Sequence, residues 1–295
     1  MFESILEKLI DSVKDATIDT LKLIPFLFIT YLIMEALERK TSDASAKKLT
    51  DVGRFGPILG GIIGIIPQCG FSAAASSLYA GGLISIGTLI SVFLSTSDEM
   101  LPLFISEHLA LPTILKILLS KALIAVFSGF MVDTLLSFTR FKYKTRQRIS
   151  ELCEEEHGDD TEDKGVFIDA LRHTIHITIF IYIISIILTL LVESLGSDVI
   201  RSFLTNRLII GVLLTALIGL IPNCASSIII TQLFLDGMIT TGQLMSGLMV
   251  NAGVGLLVLF RTNNHHPREN FKILCMLYLI GIFWGFFFEI FNINF

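Results

Sequence analysis

A six-residue signature that carries an amide, a thiol and a hydroxyl occurs twice in the chain, each time inside a long apolar stretch. It reads Pro-Gln-Cys-Gly-Phe-Ser at residues 67–72 and Pro-Asn-Cys-Ala-Ser-Ser at residues 222–227. Proline lacks the backbone N–H that a helix interior requires, so each copy predicts a broken helix with unpaired amides and carbonyls at the break. The side chains expected to bind substrate there are Gln68, Cys69, Ser72, Asn223, Cys224 and Ser227, with Asn251 from the following segment.

Irregular backbone of this kind survives at membrane depth where it is buried in protein or lines a water-filled cavity. The new helix at each break should present free N–H groups and the positive end of its dipole. Ser72 and Ser227 are also expected to cap these helices. The alternative interpretation is a proline kink with small residues for close helix packing.

A group of polar and acidic residues interrupts the next apolar stretch. A carboxylate within a membrane is costly and by default marks an ion or substrate pathway. The predicted coupling-ion or metal site therefore consists of Asp98, Glu99, Thr96 and Ser97. The second copy does not repeat the acids, because the aligned residues 251–254 read Asn-Ala-Gly-Val. The alternative is an acidic pair near a membrane end that Lys116 or Lys121 neutralises.

Further metal-ligand residue types occur elsewhere with weaker support. An acidic stretch between the two copies and a nearby helix face carry four of them, Cys153, His157, His173 and His176. Charge runs such as this acidic stretch are usually solvated, so their metal role is a secondary expectation. Asp133 and Glu289 align with each other and serve either as helix-end anchors or as ligands.

The signature belongs to a longer internal repeat with an offset of 155 residues. Glycines, prolines, cysteines and serines coincide at this offset, as well as apolar positions. Examples are Gly56/Gly211, Pro67/Pro222, Cys69/Cys224, Gly82/Gly237 and Pro112/Pro267. Chance similarity between apolar stretches explains matched leucines but not co-registered proline, cysteine and glycine. The two halves are therefore predicted to have the same plan.

The composition places the chain in a membrane. Hydrophobic residues make up 53% and charged residues 17% of the 295 residues, whereas soluble domains carry about 25% charged residues. Apolar runs at residues 175–191 and 271–290 approach or reach the length that spans ~30 Å of hydrocarbon. We expect an all-α polytopic protein of the plasma membrane, with lipid and a small ion or molecule as partners and no nucleic acid.

Four regions follow from the repeat and the charge distribution. Residues 1–17 predict an amphipathic helix at the membrane interface, and residues 18–139 the first membrane repeat. Residues 140–167 form a charged linker, and residues 168–295 the second repeat. Lysine and arginine after the first helix and in the linker place both segments in the cytoplasm.

Since both segments lie in the cytoplasm, the chain between them must cross the membrane an even number of times. Three apolar segments lie between them, so one of the three must cross twice or not at all. The proline-broken segment is therefore predicted to fold back as a helical hairpin, which gives five membrane elements per half. An odd number inverts the second half, with both termini outside. The loop at residues 107–111 has no lysine or arginine, whereas its counterpart carries Arg261, Arg268 and Lys272. Two inverted repeats whose hairpins meet near the midplane are typical of secondary transporters.

With these motifs in view, the chain resembles a family of ten-transmembrane heavy-metal exporters. The motifs are Ile-Pro-Gln-Cys-Gly at residues 66–70, Ile-Pro-Asn-Cys at residues 221–224 and the acidic third segment. This family is distantly similar to arsenical permeases, and its members are often labelled manganese or arsenic efflux proteins. The resemblance covers nearly the whole chain and implies export of a metal, a metalloid or a related anion.

The leading hypothesis is a secondary transporter that exports a divalent metal or metalloid by alternating access, coupled to protons or sodium. Carboxylates at Asp98 and Glu99 suit manganese, whereas two thiols suit trivalent arsenic, so both classes stay open. The alternative is an organic or oxyanion substrate held between two half-helix N-termini, with Asp98 and Glu99 binding the coupling ion. No permanently bound cofactor is expected. An enzyme is not expected, because no histidine lies mid-membrane to activate Cys69 or Cys224.

Overall fold

The computed structural model describes residues 55–97, 100–138, 166–195, 208–293 and 295, and selected positions between 13 and 32. Every regular element in this part of the chain is a helix. The helices are α1 (Gly56–Ile63), α2 (Cys69–Ala80), α3 (Ile86–Ser95), α4 (Met100–Ser106), α5 (Leu111–Phe138), α6 (Val166–Leu195), α7 (Leu208–Gly219), α8 (Cys224–Leu235), α9 (Thr241–Val250), α10 (Gly255–Thr262) and α11 (Pro267–Ile290). Several predictions lie outside the described residues: most of the interfacial helix, nearly all of the linker with Cys153 and His157, and Asp98 and Glu99.

The helix bounds recur with the offset that the sequence predicts. Helices α2 and α8 begin and end at positions 155 residues apart, and so do α3 and α9. The turns before α3 and α9 match as well, because each contains a glycine with positive φ, 75° at Gly82 and 68° at Gly237. Ser85 and Thr240 then accept hydrogen bonds from Thr88 N and Gln243 N, which caps α3 and α9. Equivalent sequence thus produces equivalent local structure in the two halves.

Helix α2 runs back against the direction of α1. Gly56 lies against the side chain of Thr88 and Gly64 against that of Ser95, so α1 and α3 run in the same direction. A short turn joins the end of α2 to the start of α3, which requires α2 to run the other way. In the second half Gly211 lies against Gln243 and Gly219 against Gly247, which gives the same arrangement of α7, α8 and α9. Glycine is needed at these contacts because a Cβ would collide with the neighbouring helix.

The third segment of each half is broken, whereas the sequence predicted a single segment. Helix α3 ends at Ser95 and α4 begins at Met100, and α9 ends at Val250 and α10 begins at Gly255. In the second half Gly253 adopts a positive φ of 53° and donates its N–H to the Asn251 side chain at 2.8 Å. An asparagine–glycine turn therefore replaces the last helical hydrogen bonds.

Four stretches within the described residues are long and apolar enough to cross a membrane. They are Ile86–Ser106, Leu111–Leu136, Thr241–Thr262 and Pro267–Ile290. Along α5 the apolar residues Leu115, Leu119, Leu123 and Phe127 are 57–63% exposed and share one face at a spacing of four residues. Such a stripe suits contact with lipid, which is as apolar as the side chains themselves. The chain therefore has the character of a polytopic membrane protein.

The two halves exchange equivalent contacts. Helix α2 of the first half packs against α10 of the second, and α8 of the second packs against α4 of the first. Because α8 is the equivalent of α2 and α10 the equivalent of α4, the same pair of helices meets in both contacts with the halves exchanged. The α2–α10 contact is the closer of the two: Ser76 Oγ donates to Gly255 O at 2.6 Å. At the α4–α8 contact the rings of Phe104 and Phe234 meet edge to face, with centroids 6.3 Å apart.

Candidate substrate site between the two halves

Cys69 and Cys224 meet where the halves join. Their sulfur atoms are 3.9 Å apart, and the side chains are 5% and 4% exposed. Each is the first residue of its helix, α2 or α8, and both cysteines are free thiols. Two helix N-termini, with their positive dipole ends, therefore converge on a buried pair of sulfur atoms. The sequence predicted both residues as substrate ligands, and the structure brings them together.

The residues that precede the two cysteines have extended backbones. Gln68 has φ −156° and ψ 111°, and Asn223 has φ −146° and ψ 149°. Neither side chain caps the helix that follows it. Asn223 is 6% exposed, whereas Gln68 is half-buried. The amide side chains thus flank the thiols from both halves, and the helix ends keep N–H groups that their own N-cap side chains do not satisfy.

The expectation that Ser72 and Ser227 cap these helices is wrong. Ser72 Oγ donates to Cys69 O at 2.9 Å, and Ser227 Oγ donates to Cys224 O at 2.8 Å. An N-cap side chain must precede the helix to accept from its first amides, whereas these serines lie three residues inside it. Their hydroxyls bond back to the preceding turn instead. Both are buried close to the thiols, so their role as substrate ligands stays a prediction.

Asn251 connects the break of the third segment to the second signature. Its Nδ2 donates to Ser226 Oγ at 3.3 Å, and its Oδ1 accepts from Gly253 N at 2.8 Å. In the first half, Thr96 Oγ1 donates to Val92 O at 2.7 Å and Ser97 Oγ to Ser95 O at 3.0 Å. All three side chains are buried. Asp98 and Glu99 follow directly in the sequence but lie outside the described residues.

A buried lysine at this break was not among the predicted site residues. Lys121 on α5 is 1% exposed, and its Nζ donates to Thr96 O and, at 3.2 Å, to Leu248 O. It thereby joins the first half to α9 of the second. The signal was present in the sequence, because a lysine within an apolar span is as costly as a carboxylate. Lys121 entered the sequence argument only as a neutralising partner for the acids.

A second buried polar group between the halves had no clear sequence signal. Tyr79 OH, at the end of α2, donates to Glu269 Oε1 at the start of α11, and these residues are 0% and 8% exposed. Asn263 Nδ2 donates to Asn270 Oδ1 at 2.6 Å beside it. Positions equivalent to Tyr79 and Glu269 in the other half are Phe234 and Ile114. The equivalent positions in the other half are thus apolar and cannot form this hydrogen bond.

Asp133 and Glu289 act as helix anchors. Asp133 accepts from Ser85 Oγ at 2.6 Å and from Gly87 N at 2.8 Å, and Thr240 Oγ1 donates to Glu289 Oε1. Each carboxylate thus holds the N-terminus of the broken third segment of its own half. This is the geometry in which an acid stabilises a helix start.

Of the predicted histidine ligands, only His176 has a described side chain. His176 is exposed on α6, and the side chain of His173 lies outside the described residues. Across the residues whose placement is described, no three His, Cys, Asp or Glu side chains lie close enough to hold a metal ion together. The two thiols and their neighbouring amides are therefore the best-supported ligand set in this part of the chain.

Comparison with protein families agrees with this architecture. The model of the family described as "Putative, 10TM heavy-metal exporter" matches residues 4–199 and 101–262, two overlapping ranges that together cover most of the chain. No curated protein and no solved structure matches the chain.

Proposed function

The chain belongs to the 10TM heavy-metal exporter family, and from that membership we propose that it exports a thiophilic metal or metalloid of the arsenite class. The observation that carries this proposal is the buried pair of sulfur atoms between the halves. The substrate is held by Cys69 and Cys224, one from each half, with the amides of Gln68 and Asn223 beside it. Ligation by both halves is what couples substrate binding to their relative position.

The sulfur separation supports two-thiolate ligation. Two bonds of ~2.3 Å, the length typical of zinc–thiolate bonds, place their sulfurs ~3.8 Å apart at a tetrahedral angle. The observed Sγ–Sγ distance of 3.9 Å is close to that value. A disulfide needs ~2.05 Å, so the distance suits a bridging atom better than a direct bond.

Soft ligands favour a soft substrate over manganese. Manganese prefers carboxylate, carbonyl and water oxygens, whereas thiolates select zinc-like and softer ions. The polar side chains that flank the thiols along the chain are amides and hydroxyls, those of Gln68, Asn223, Ser72 and Ser227, and not carboxylates. A manganese site would need Asp98 and Glu99, and Lys121 donates to the carbonyl of Thr96, two residues before Asp98. A positive charge there opposes a divalent cation.

We propose that transport proceeds by alternating access between inverted repeats. The reciprocal packing of α2 on α10 and of α8 on α4 supports a two-fold relationship between the halves. A two-fold axis in the membrane plane would invert the second half, and the basic residues Arg261 and Arg268, opposite a neutral first-half loop, support that direction. The two hairpin tips then approach the substrate from opposite sides of the plasma membrane.

The test replaces each site cysteine in the full-length protein and measures arsenite and cadmium tolerance and efflux. C69S and C224S each remove one soft ligand, so we expect efflux to fall by at least about tenfold. Loss of a residue that only supports a metal ligand already costs about 10–100-fold in affinity or activity. C275S is the matched control, because Cys275 lies half-buried on α11 away from the site. Full activity of C69S and C224S, at normal protein levels, would exclude sulfur ligation.

An oxyanion substrate is the second candidate, and one observation favours it. Helices α2 and α8 both begin at the site without a side-chain cap, so two positive dipole ends meet there. An anion such as arsenate or phosphate would use the backbone N–H groups and not the sulfurs. Efflux of arsenate that survives C69S and C224S, with no efflux of arsenite, would select this candidate.

A further inference from the structure

Two half-helices end close to each other, because one side chain reaches backbone carbonyls at both ends. Helices α3 and α9 are related by the offset of 155 residues, and both stop at a break in the third segment. The last four carbonyls of a helix have no partner within it and carry the negative end of its dipole. Thr96 is the C-cap residue of α3, and Leu248 lies in the last turn of α9. Their carbonyls therefore form an electronegative site shared by both halves.

Lys121 occupies this site. Its Nζ donates to Thr96 O and to Leu248 O, and 1% of the side chain is exposed. An ammonium group is stabilised at helix C-termini, and here it meets two of them. The second half has no equivalent cation, since the aligned positions are Met276 and Leu277. One lysine from the first half thus serves the helix ends of both.

Among the described residues, the charged groups of the helices around Lys121 lie toward the helix ends. Helix α11, which packs on α9 and contacts α5 through Trp284, carries Arg268, Glu269 and Lys272 within its first six residues and Glu289 near its end. Helices α1 and α3, which pack on α5, and α9, which provides Leu248 O, contain no Asp, Glu, His, Lys or Arg. On α5 itself the remaining charged groups are Lys116, which is exposed, and Asp133, which holds the start of α3. The acids nearest in sequence to Thr96 are Asp98 and Glu99. Helix-end carbonyls of this kind bind the coupling cation in many secondary transporters.

We propose that the Lys121 ammonium is a built-in cation that fills a monovalent-cation site between the two halves, so that the protein joins its halves without sodium. The site would otherwise take sodium or a small alkylammonium ion. The consequence for transport rests on the proposed exporter function, whereas the cation site itself does not.

The first experiment measures the thermal stability of purified protein in sodium, methylammonium and choline chloride at equal ionic strength. K121A opens the site, so sodium or methylammonium should raise its Tm by several degrees over choline, as a ligand that binds only the folded state does. K116A keeps Lys121 and is the matched control from the same helix. K121M fills the space without a charge and leaves no room for an ion. For K116A and for K121M, the Tm should not change among the three salts.

Failure of K121A to respond to either cation would overturn the proposal. If K121A folds in sodium or methylammonium but not in choline, the proposal is supported. If K121A folds in none of the salts, the test uses the wild-type protein instead. The proposal then requires the wild type to have equal stability and equal arsenite efflux in sodium and in choline. A wild type that requires sodium would contradict a built-in cation. A wild type that exports no arsenite would refute the proposed function alone, because the melting comparison does not use transport.

Discussion

At the scale of single residues, symmetry and its absence divide the site into two parts. Cys69 and Cys224 are equivalent residues whose sulfur atoms lie 3.9 Å apart, so each half contributes one thiol to the pair. Lys121 has no equivalent and reaches from the first half into the second. The thiols that we propose as substrate ligands are therefore symmetric between the halves, whereas Lys121 makes the two halves different.

Gly255 allows a close contact between the halves. A Cβ at this position would lie 2.7 Å from Ser72 Cβ and 2.8 Å from the Ser72 backbone. We expect G255A to destabilise the protein by about 1–3 kcal/mol, the usual cost of overpacking, and to push α2 away from α10. Chemical unfolding measures the cost. A short dithiol-specific cross-linker measures the displacement, because Cys69 and Cys224 would react with lower yield.

G237A is the comparison for this substitution. Gly237 has a φ of 68° and open space around its Cβ position, so alanine there is strained but touches nothing. Its cost should be about 1–2 kcal/mol from the left-handed backbone, with an unchanged cross-linking yield. Equal cross-linking in G255A and the wild type would mean that the α2–α10 contact does not position the thiols.

At the scale of the elements, the sequence predicted the helix break at each signature but not the break in the third segment of each half. Pro67 and Pro222 forbid a continuous helix, and the structure separates α1 from α2 and α7 from α8 at those points. The third segment of the second half breaks without proline, through an Asn251–Gly253 turn, whereas in the first half Pro102 lies in the first turn of α4 after the break. Such a turn depends on a side chain satisfying the backbone, which single-residue propensities do not reveal. Lys121 itself was visible as a charge within an apolar span, but its acceptors were not, since these carbonyls are open only where α3 and α9 end.

Acid anchors at the start of the broken segments have a measurable effect. Asp133 accepts two hydrogen bonds, from Ser85 Oγ and Gly87 N, and D133N replaces one acceptor oxygen with a donor. We expect a loss of about 1–3 kcal/mol in unfolding free energy, as for hydrogen bonds to charged groups. E289Q should behave alike, because Glu289 holds Thr240 in the same way.

The control for the anchors is D236N. Asp236 is exposed at the end of α8, where it accepts from Gln232 Nε2 at 3.2 Å, so its change should cost less than about 0.5 kcal/mol. A cost for D133N no larger than that of D236N would show that the carboxylate does not hold α3.

At the scale of the whole molecule, the crossed packing ties two equivalent halves into one unit. Each returning helix, α2 or α8, packs against a helix of the opposite half as well as against its own half. The duplication was predictable from the sequence, because its glycines, prolines and cysteines keep their spacing. The exchange of partners was not, since a repeat within a sequence does not specify which copy a helix packs against.

The proposed inversion predicts opposite labelling of two equivalent loops. Glu107 and Asn264 are exposed residues of those loops. In a variant that lacks Cys153 and Cys275, a membrane-impermeant maleimide should label E107C on intact cells. It should label N264C only after the cells are permeabilised, because the basic residues near that loop favour the cytoplasm. Labelling of both positions from the same side would contradict an inverted repeat.

The crossed contact between Ser76 and Gly255 also sets an order of events during synthesis. These residues are 179 positions apart, so the ribosome makes the acceptor carbonyl ~10–35 s after the donor hydroxyl at typical rates of 5–20 residues per second. The donor on α2 is therefore made well before its acceptor exists. The contact between α2 and α10 can form only after most of the chain has been synthesised.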